Sequence, residues 1–243
     1  MTQDSARVLD LWRRQLGQVP ESVWERAGLQ VLILADNGLT ALPGAIGRLR
    51  VLRTLDLGHN RLTSVPPEIG ELTGLDGFLY LHDNALGRLP EELGNLTRLR
   101  YLNVGENALT ALPGSIGRMA GLVELRAQHN RLTALPDAVG DLGSLRELWL
   151  RGNELADLPA SMGALTELRH LDLRENALPE LPRCLAGLPL LRQLDVRGNR
   201  LTRLPDWIVE LPALEKLDLR WNDCPRDSPL TTELERRGCV VLL

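Results

Sequence analysis

Several residue types that usually build a globular core or a charged surface are scarce in this 243-residue chain. It contains one phenylalanine, two tyrosines, five tryptophans and a single lysine, Lys216. Leucine, by contrast, occurs 56 times, so one apolar side chain supplies most of the material for a core. Such dependence on one residue type indicates that a single packing environment is repeated many times along the chain.

Cysteines and long apolar runs are also scarce. The three cysteines, Cys184, Cys224 and Cys239, are odd in number and lie late in the chain, which argues against a disulfide framework. No stretch approaches the length of a membrane helix, and the first residues lack the apolar segment of a secretion signal. We therefore expect a cytoplasmic protein that does not bind membranes. The preference for arginine over lysine resembles the coding bias of a GC-rich bacterium.

Charge and motifs exclude several functional classes. The net charge is −4 with both signs mixed along the chain, which gives no general attraction to nucleic acid. The chain has no phosphate-binding loop, dinucleotide-binding glycine motif, H-E-x-x-H motif, C-x-x-C pair, calcium loop or G-x-S-x-G elbow. His59 and His82 fall on neighbouring repeats, but two histidines without a third ligand make a weak metal site. We expect no enzyme activity, no metal and no cofactor.

An asparagine recurs along most of the chain at steps of 23 residues, with one step of 24 between Asn60 and Asn84. The Leu-x-Leu before each asparagine predicts a short strand with one buried face. The asparagine ends the strand and can hydrogen-bond backbone groups of neighbouring repeats. The Leu-Pro step that follows should start a short helical or 3₁₀ segment. The recurring residues are Asn37, Asn60, Asn84, Asn107, Asn130, Asn153, Asn176, Asn199 and Asn222.

The same frame extends to both ends of the chain. Arg14 occupies the asparagine position in the first repeat, as expected of a capping repeat with one side exposed to solvent. After Asn222 the Leu-Pro step is lost, residues 229–237 are predicted to form a closing helix, and Val240 and Leu242 fall on strand slots. The sequence thus predicts eleven parallel strands in one domain over residues 1–243. Its parts are a capping repeat over about 1–28, central repeats over 29–222, and a capping helix and strand over 223–243.

The motif Leu-x-x-Leu-x-Leu-x-x-Asn-x-Leu-x-x-Leu-Pro-x-x-Ile-Gly-x-Leu resembles the leucine-rich-repeat family. Its Leu-Pro and Ile-Gly elements are similar to the ras-group or plant-intracellular subtype, and the resemblance covers nearly the whole chain. It implies an α/β solenoid shaped as a curved horseshoe, with short parallel strands on the concave face and helical or 3₁₀ segments on the convex face. It also implies protein binding as the usual role, with small GTPases, kinases or their regulators as candidate partners. We expect a monomeric, non-catalytic signalling scaffold.

The variable residues of each strand should face the hollow of such a solenoid. They lie at positions −6, −4, −2 and −1 relative to the asparagine, and six of the eight aromatic residues and all four histidines fall there. Exposed aromatic residues are typical of binding hot spots, although strands also favour them for other reasons. The main candidate partner-binding cluster occupies four successive repeats and consists of Phe78, Tyr80, His82, Tyr101, Asn103, Arg126 and Trp149.

The one extra residue in the repeat lies beside this cluster, at Asp76–Gly77. An insertion there should bulge the turn that enters the strand and re-aim Phe78. A neutral insertion in a loop is the alternative.

Two columns of charge mark the C-terminal half. Position −4 holds Asp172, Asp195 and Asp218, and position −2 holds arginines in the same repeats. The columns predict either a charged platform that steers an acidic or mixed-charge partner or a solvated surface that neutralises itself. On the first alternative, three arginines join the candidate binding residues: Arg151, Arg174 and Arg197.

Three functions remain open at this point. The first is an interaction module that holds a partner protein on the concave face. The second is recognition of a peptide or glycan by the aromatic cluster. The third is a bacterial effector that acts in a host cell, a class that an attached catalytic domain would mark.

Overall fold

Our computed structural model describes residues 7–225 and 227–243, and within them the chain forms one open sheet of eleven parallel strands. Each strand pairs in register with the strand of the next repeat, so the strand order follows the sequence. The strands are β1 (Val8–Asp10), β2 (Val31–Ile33), β3 (Thr54–Asp56), β4 (Phe78–Tyr80), β5 (Tyr101–Asn103), β6 (Glu124–Arg126), β7 (Glu147–Trp149), β8 (His170–Asp172), β9 (Gln193–Asp195), β10 (Lys216–Asp218) and β11 (Val240–Leu242).

Short 3₁₀ segments form the layer behind the sheet. Each begins after a proline in extended geometry, because the proline ring fixes φ and cannot continue the strand ladder. The leucines of both layers meet in one continuous core, in which residues such as Leu55 and Leu57 are fully buried. The 3₁₀ segments are Gly44–Arg48, Pro67–Glu71, Glu91–Asn95, Gly114–Arg118, Asp137–Asp141, Ala160–Ala164, Arg183–Gly187 and Asp206–Glu210.

The expected asparagine ladder is confirmed. The Nδ2 group of Asn130 donates to the carbonyl oxygens of Val104 at 3.0 Å and Ala127 at 3.2 Å, while its Oδ1 accepts from the N–H of Leu109 at 2.9 Å. Each such side chain therefore satisfies buried backbone groups in its own repeat and in the repeat before it. Because the same bonds recur from repeat to repeat, the ladder fixes the spacing of the units.

A helix lies at each end of the layer behind the sheet. The four-residue helix α1 (Glu21–Trp24) places Trp24 in the slot that most inner repeats fill with glycine, and the side chain is only 1% exposed. The helix α2 (Pro229–Arg236) begins at Ser228, whose side chain accepts the N–H of Leu230, and leads into β11. The closing helix and last strand expected from the sequence are confirmed.

The extra residue at Asp76–Gly77 is absorbed before β4 begins. The Asp76 carboxylate bridges Arg53 at 2.8 Å and Arg98 at 3.3 Å on the neighbouring repeats. The strand itself keeps its register, since Phe78 pairs with Thr54 on one side and with Tyr101 on the other. The turn is bent as expected, but Phe78 stays in the slot equivalent to its neighbours.

Candidate functional site

The strands present their outer residues on the open side of the sheet. In β4, Leu79 is fully buried between Phe78, which is 46% exposed, and the half-buried Tyr80. Alternation along a strand sends neighbouring side chains to opposite faces, so the positions flanking each central leucine form one continuous surface. The sequence-based assignment of positions −6 and −4 to this open face is therefore confirmed.

Aromatic rings from successive strands touch one another on this face. Phe78 stacks on Tyr80 with ring centroids 6.0 Å apart and planes 8° apart. Tyr101 packs against both rings, at 5.5 Å from Phe78 and 5.1 Å from Tyr80. His82 extends the group, with its ring centroid 5.9 Å from that of Tyr80. The rings of β4 and β5 and the His82 imidazole therefore form one contiguous group.

Arg126 and Trp149 continue the group towards the C-terminus. The Arg126 guanidinium lies 5.8 Å from the Tyr101 ring and 4.9 Å from the Trp149 ring, which are cation–π distances. Trp149 in turn stacks on His170 with centroids 4.3 Å apart. We call the connected set the aromatic surface; it consists of Phe78, Tyr80, His82, Tyr101, Arg126, Trp149 and His170.

Burial controls the charge of this surface. It raises the pKa of Tyr80 and of Tyr101, so both phenols are neutral hydrogen-bonding groups at physiological pH. Burial, with a smaller contribution from His59, lowers the pKa of His82, which favours the neutral imidazole. Burial alone would lower the pKa of Arg126, but its bond to the Glu124 carboxylate raises it. The surface thus offers ring faces, hydroxyls and one fixed cation.

Asn103 differs from the other members of the expected cluster. It is only 7% exposed, and its Oδ1 accepts the N–H of Gly105 at 3.0 Å. This bond to the residue two positions later recurs wherever position −4 holds Asp or Asn, because such side chains cap the end of a strand. This structural role was not predicted for Asn103, although the recurrence of Asp or Asn at position −4 signals it. The other residues that make the bond are Asp10, Asp56, Asp172, Asp195 and Asp218.

The two charge columns of the C-terminal half bind each other. Arg174 makes bonds of 2.7 to 3.0 Å to Asp172 and lies 3.6 Å from Asp195. Arg197 repeats the arrangement with Asp195 at 2.8 Å and Asp218 at 3.2 Å. The arginine side chains are only 22% and 17% exposed. We call this set the ion-pair ladder; its charges are neutralised within the molecule.

Arg151 lies outside that ladder. Its own repeat carries Trp149 where the later repeats carry aspartate, so its guanidinium pairs instead with Glu175, at 3.1 Å. The side chain is 35% exposed and borders the aromatic surface. Of the three candidate arginines, Arg151 is the one that keeps most contact with solvent.

The described part of the chain gives little support to a metal site or a nucleophilic cysteine. No group of three His, Cys, Asp or Glu side chains there could hold a metal ion. The Nε2 atoms of His59 and His82 lie 3.2 Å apart, and His59 Nδ1 lies 2.7 Å from Asp83. Burial raises the pKa of the Cys184 thiol to about 11, which disfavours a nucleophilic thiolate. None of the helices described is long and apolar enough to cross a membrane.

Solved structures with the same architecture cover most of the chain. A leucine-rich-repeat protein of Leptospira interrogans is 29% identical, with a TM-score of 0.72 over 94% of this chain and 70% of its own. The plant peptide hormone receptor RGFR1, solved in complex with RGF2, is 26% identical, with a TM-score of 0.68 over 92% of this chain and 45% of its own.

The ectodomain of the plant membrane receptor kinase GASSHO1/SCHENGEN3 from Arabidopsis thaliana is also similar. It was solved with CASPARIAN STRIP INTEGRITY FACTOR 2 and is 29% identical, with a TM-score of 0.66 over 89% of this chain and 30% of its own. This chain therefore spans less than half of either plant receptor. No curated protein sequence matches it.

Models of the leucine-rich repeat match most of the sequence. One matches residues 4–68 and 143–201, which is just over half of the chain, and a leucine-rich repeat region model matches residues 77–157. Repeats of this kind form non-enzymatic modules that generally bind proteins. The matched residues and the eleven-stranded parallel solenoid together show that the chain belongs to the leucine-rich-repeat family.

Proposed function

We propose that this chain binds a partner protein across the open face of its sheet and that the aromatic surface anchors the partner. The observation that carries the proposal is the unbroken contact between side chains of β4 to β8, from Phe78 to His170. Large rings dominate the binding energy of protein interfaces, and rings held in place by one another lose little conformational entropy on binding.

The aromatic surface has the extent and chemistry of an interface centre. Five strands about 4.8 Å apart span roughly 20 Å, which suits several contact residues of a partner. The phenols of Tyr80 and Tyr101 and the charged Arg126 supply polar groups among the apolar rings.

The ion-pair ladder has a secondary role in this proposal. Arg174 and Arg197 use their guanidinium groups within the ladder, so a partner would meet a neutral polar surface there. Arg151, which borders Trp149, is the charged residue best placed to contact a partner at the rim of the aromatic surface. Rim charges affect the association rate more than the affinity.

A peptide is the second candidate ligand for the same surface. Both plant receptors were solved in complexes, and RGFR1 is a peptide hormone receptor. A peptide would need only the rings, whereas a protein partner would also cover Arg151 and the beginning of the ladder. Substituting Arg151 by alanine therefore separates the two, because it should slow the association of only the larger partner.

The proposal includes a cytoplasmic, monomeric chain. The three cysteines are free thiols in the structure, as expected of a protein in a reducing compartment. Size-exclusion chromatography with light scattering tests the oligomeric state. Fractionation of the source cells tests the location.

The test of the proposed function is capture of partners from a lysate of the source cells with the full chain as bait. The double variant Tyr80→Ala/Trp149→Ala removes two anchor rings and should reduce recovery of specific partners at least about tenfold, as expected for hot-spot residues. Trp221→Ala is the matched control, because Trp221 is 72% exposed and lies outside the aromatic surface. Circular dichroism must first show that both variants are folded. Equal recovery by the folded double variant and the unmodified chain would refute the aromatic surface as the anchor.

A further inference from the structure

A cavity lies at the N-terminal end of the same sheet face, outside the expected binding cluster. Asp10 of β1, Ile33 of β2 and Asp56 of β3 pair in register and form one row across it. Ile33 is thus flanked by a carboxylate on each side. The cavity has a volume of about 380 Å³. We call it the Asp10–Asp56 cavity; its lining residues are Asp10, Trp12, Ile33, Ala35, Asp56, His59 and His82.

The two carboxylates carry charge that the described part of the chain does not neutralise. Each uses Oδ1 to accept a backbone N–H at 2.9 Å, from Trp12 for Asp10 and from Gly58 for Asp56. Among the described residues, neither Oδ2 accepts a hydrogen bond, and neither carboxylate has a cationic side chain within ion-pair distance. Two strand spacings separate the aspartates by about 10 Å. That separation allows one planar cation that lies over Ile33 to reach both carboxylates.

The remaining walls suit the aliphatic stem of a long side chain. Ile33 and Ala35 form an apolar floor, and the Trp12 indole is 53% exposed beside them. The guanidinium of Arg13 lies over the Trp12 ring at 4.7 Å, but it is paired with Asp36 and does not line the cavity.

His82 completes the wall on the side of the aromatic surface. Burial lowers its pKa, so the imidazole does not bring a competing positive charge at neutral pH. Its Nδ1 atom is buried and has no hydrogen-bond partner among the described residues. The cavity is therefore bounded by carboxylates, rings and apolar side chains, with no lysine or arginine in the lining.

The same sheet face already shows how it holds an arginine. Arg126 lies between the rings of Tyr101 and Trp149 while its Nε binds the carboxylate of Glu124. The Asp10–Asp56 cavity repeats these elements, with a ring, an apolar floor and carboxylates. The difference is that no arginine of the described chain occupies it.

We propose that the Asp10–Asp56 cavity binds an arginine side chain of the partner protein, with the guanidinium between the two carboxylates and the stem on Ile33 and Ala35. This proposal rests on the proposed function, because the arginine belongs to a partner that covers the same sheet face. Arginine fits better than lysine, since its planar fork can donate to two carboxylates and stack on an indole at once. A basic side chain at this end would fix the direction in which the partner lies along the solenoid.

The probe for this test is N-acetylarginine amide, titrated into the full isotope-labelled chain at constant ionic strength and followed by NMR. The expected result is a saturable shift of the Ile33 and Ala35 amides and of the Trp12 indole N–H. N-acetylcitrulline amide has the same shape without the charge and should produce no such shift. Asp10→Asn and Asp56→Asn should each weaken binding at least about fivefold, because each removes one charge-assisted hydrogen bond.

Glu106→Gln is the matched control, since it removes an exposed carboxylate from the same face outside the cavity. It should leave arginine binding unchanged, and well-dispersed amide spectra must show that all three variants are folded. Equal shifts from the citrulline probe, no saturable shift from the arginine probe, or unchanged affinity of both aspartate variants would each overturn the proposal. The Tyr80→Ala/Trp149→Ala variant should still bind the arginine probe, so failure of partner capture and failure of this titration are separate results.

Discussion

At the scale of single residues, the glycine that follows Ile, Val or Leu in several 3₁₀ segments is required by the close approach of the next repeat. A Cβ built on Gly140 would lie 2.4 Å from the carbonyl oxygen of Ser161 in the next repeat. Gly94 faces the carbonyl of Ser115 at the same distance. Backbone atoms cannot yield as a flexible side chain can, so even one methyl group must push two repeats apart. The glycine therefore sets how closely the 3₁₀ segments stack.

The first stability prediction concerns this glycine. Gly140→Ala should lower the free energy of unfolding by about 1–3 kcal/mol, the usual cost of overpacking a close contact. Gly143→Ala is the control, because a Cβ at Gly143 meets nothing within 4 Å and should change stability by less than about 0.5 kcal/mol. Urea unfolding followed by circular dichroism measures both. Equal stability of the two variants would contradict the role given to Gly140.

The asparagines act at the same scale through hydrogen bonds. Only a short side chain with both a donor and an acceptor can serve the carbonyl of Val104 and the N–H of Leu109 at once, as Asn130 does. Aspartate lacks the donor. In the first repeat Arg14 occupies the slot, and its backbone N–H donates to Asn37 Oδ1 at 2.9 Å.

At the scale of elements, the ion-pair ladder connects β8, β9 and β10. Asp218 is 1% exposed and is held by Arg220 at 2.7 Å and Arg197 at 3.2 Å. Burial alone would raise the pKa of Asp218, but the bonds from Arg220 and the charge of Arg197 outweigh it, and the pKa is lowered. The folded state therefore binds the proton less tightly than the unfolded chain does.

This linkage predicts how stability depends on pH. A carboxyl with a lowered pKa stabilises the fold fully above its unfolded pKa of about 3.9, and the contribution is lost as pH falls below that value. Asp218→Asn should therefore destabilise the chain at pH 7, and its deficit relative to the unmodified chain should shrink below about pH 4. Urea unfolding across this pH range measures the deficit, with Asp141→Asn as a control outside the ladder. If the difference in unfolding free energy between Asp218→Asn and the unmodified chain stays constant down to the lowest pH measured, the Asp218 charge is not responsible for it.

At the scale of the whole molecule, each repeat contacts mainly its neighbours. Interactions between segments join consecutive 3₁₀ segments and consecutive strands, and the ends close on α1 and α2. In such a linear array, stability is approximately a sum of the contributions of the repeats and of the interfaces between them. A destabilising substitution at one end therefore need not unfold the other end. The tryptophan of α1 is the largest side chain that covers the N-terminal end of the core.

Trp24→Ala tests this local character. Loss of a buried aromatic side chain costs about 3–5 kcal/mol. The loss should appear as faster hydrogen exchange in β2 and β3, while exchange in β8 and β9 stays nearly unchanged. Trp221→Ala, at the exposed C-terminal position, serves as the control for removing an indole. A uniform loss of protection from β2 to β9 would instead indicate that the whole array unfolds as one unit.

Part of the aromatic surface could be predicted from the sequence. The period of two placed Phe78, Tyr80 and Tyr101 on the open face, because side-chain direction along a strand is a local property of the backbone. The sequence could not show that Asn103 is buried or that Arg174 is occupied by Asp172. Both facts depend on which group lies closest in space. For Asn103 that group is the backbone N–H of Gly105, two residues later. For Arg174 the groups are Asp172, two residues earlier, and Asp195 in the next repeat.

The sequence by itself therefore determined the number of strands, the asparagine ladder, the closing helix and the face on which the variable residues lie. Each of these follows from a sequence pattern that recurs from repeat to repeat and from backbone geometry that is set over a few residues. Only the tertiary structure decided that side chains from five strands form one surface, that the C-terminal charges neutralise each other, and that Asp10 and Asp56 border one cavity. Many of these contacts join different repeats, and even those within one repeat, such as Arg174 with Asp172, depend on which neighbouring side chain lies closest in space.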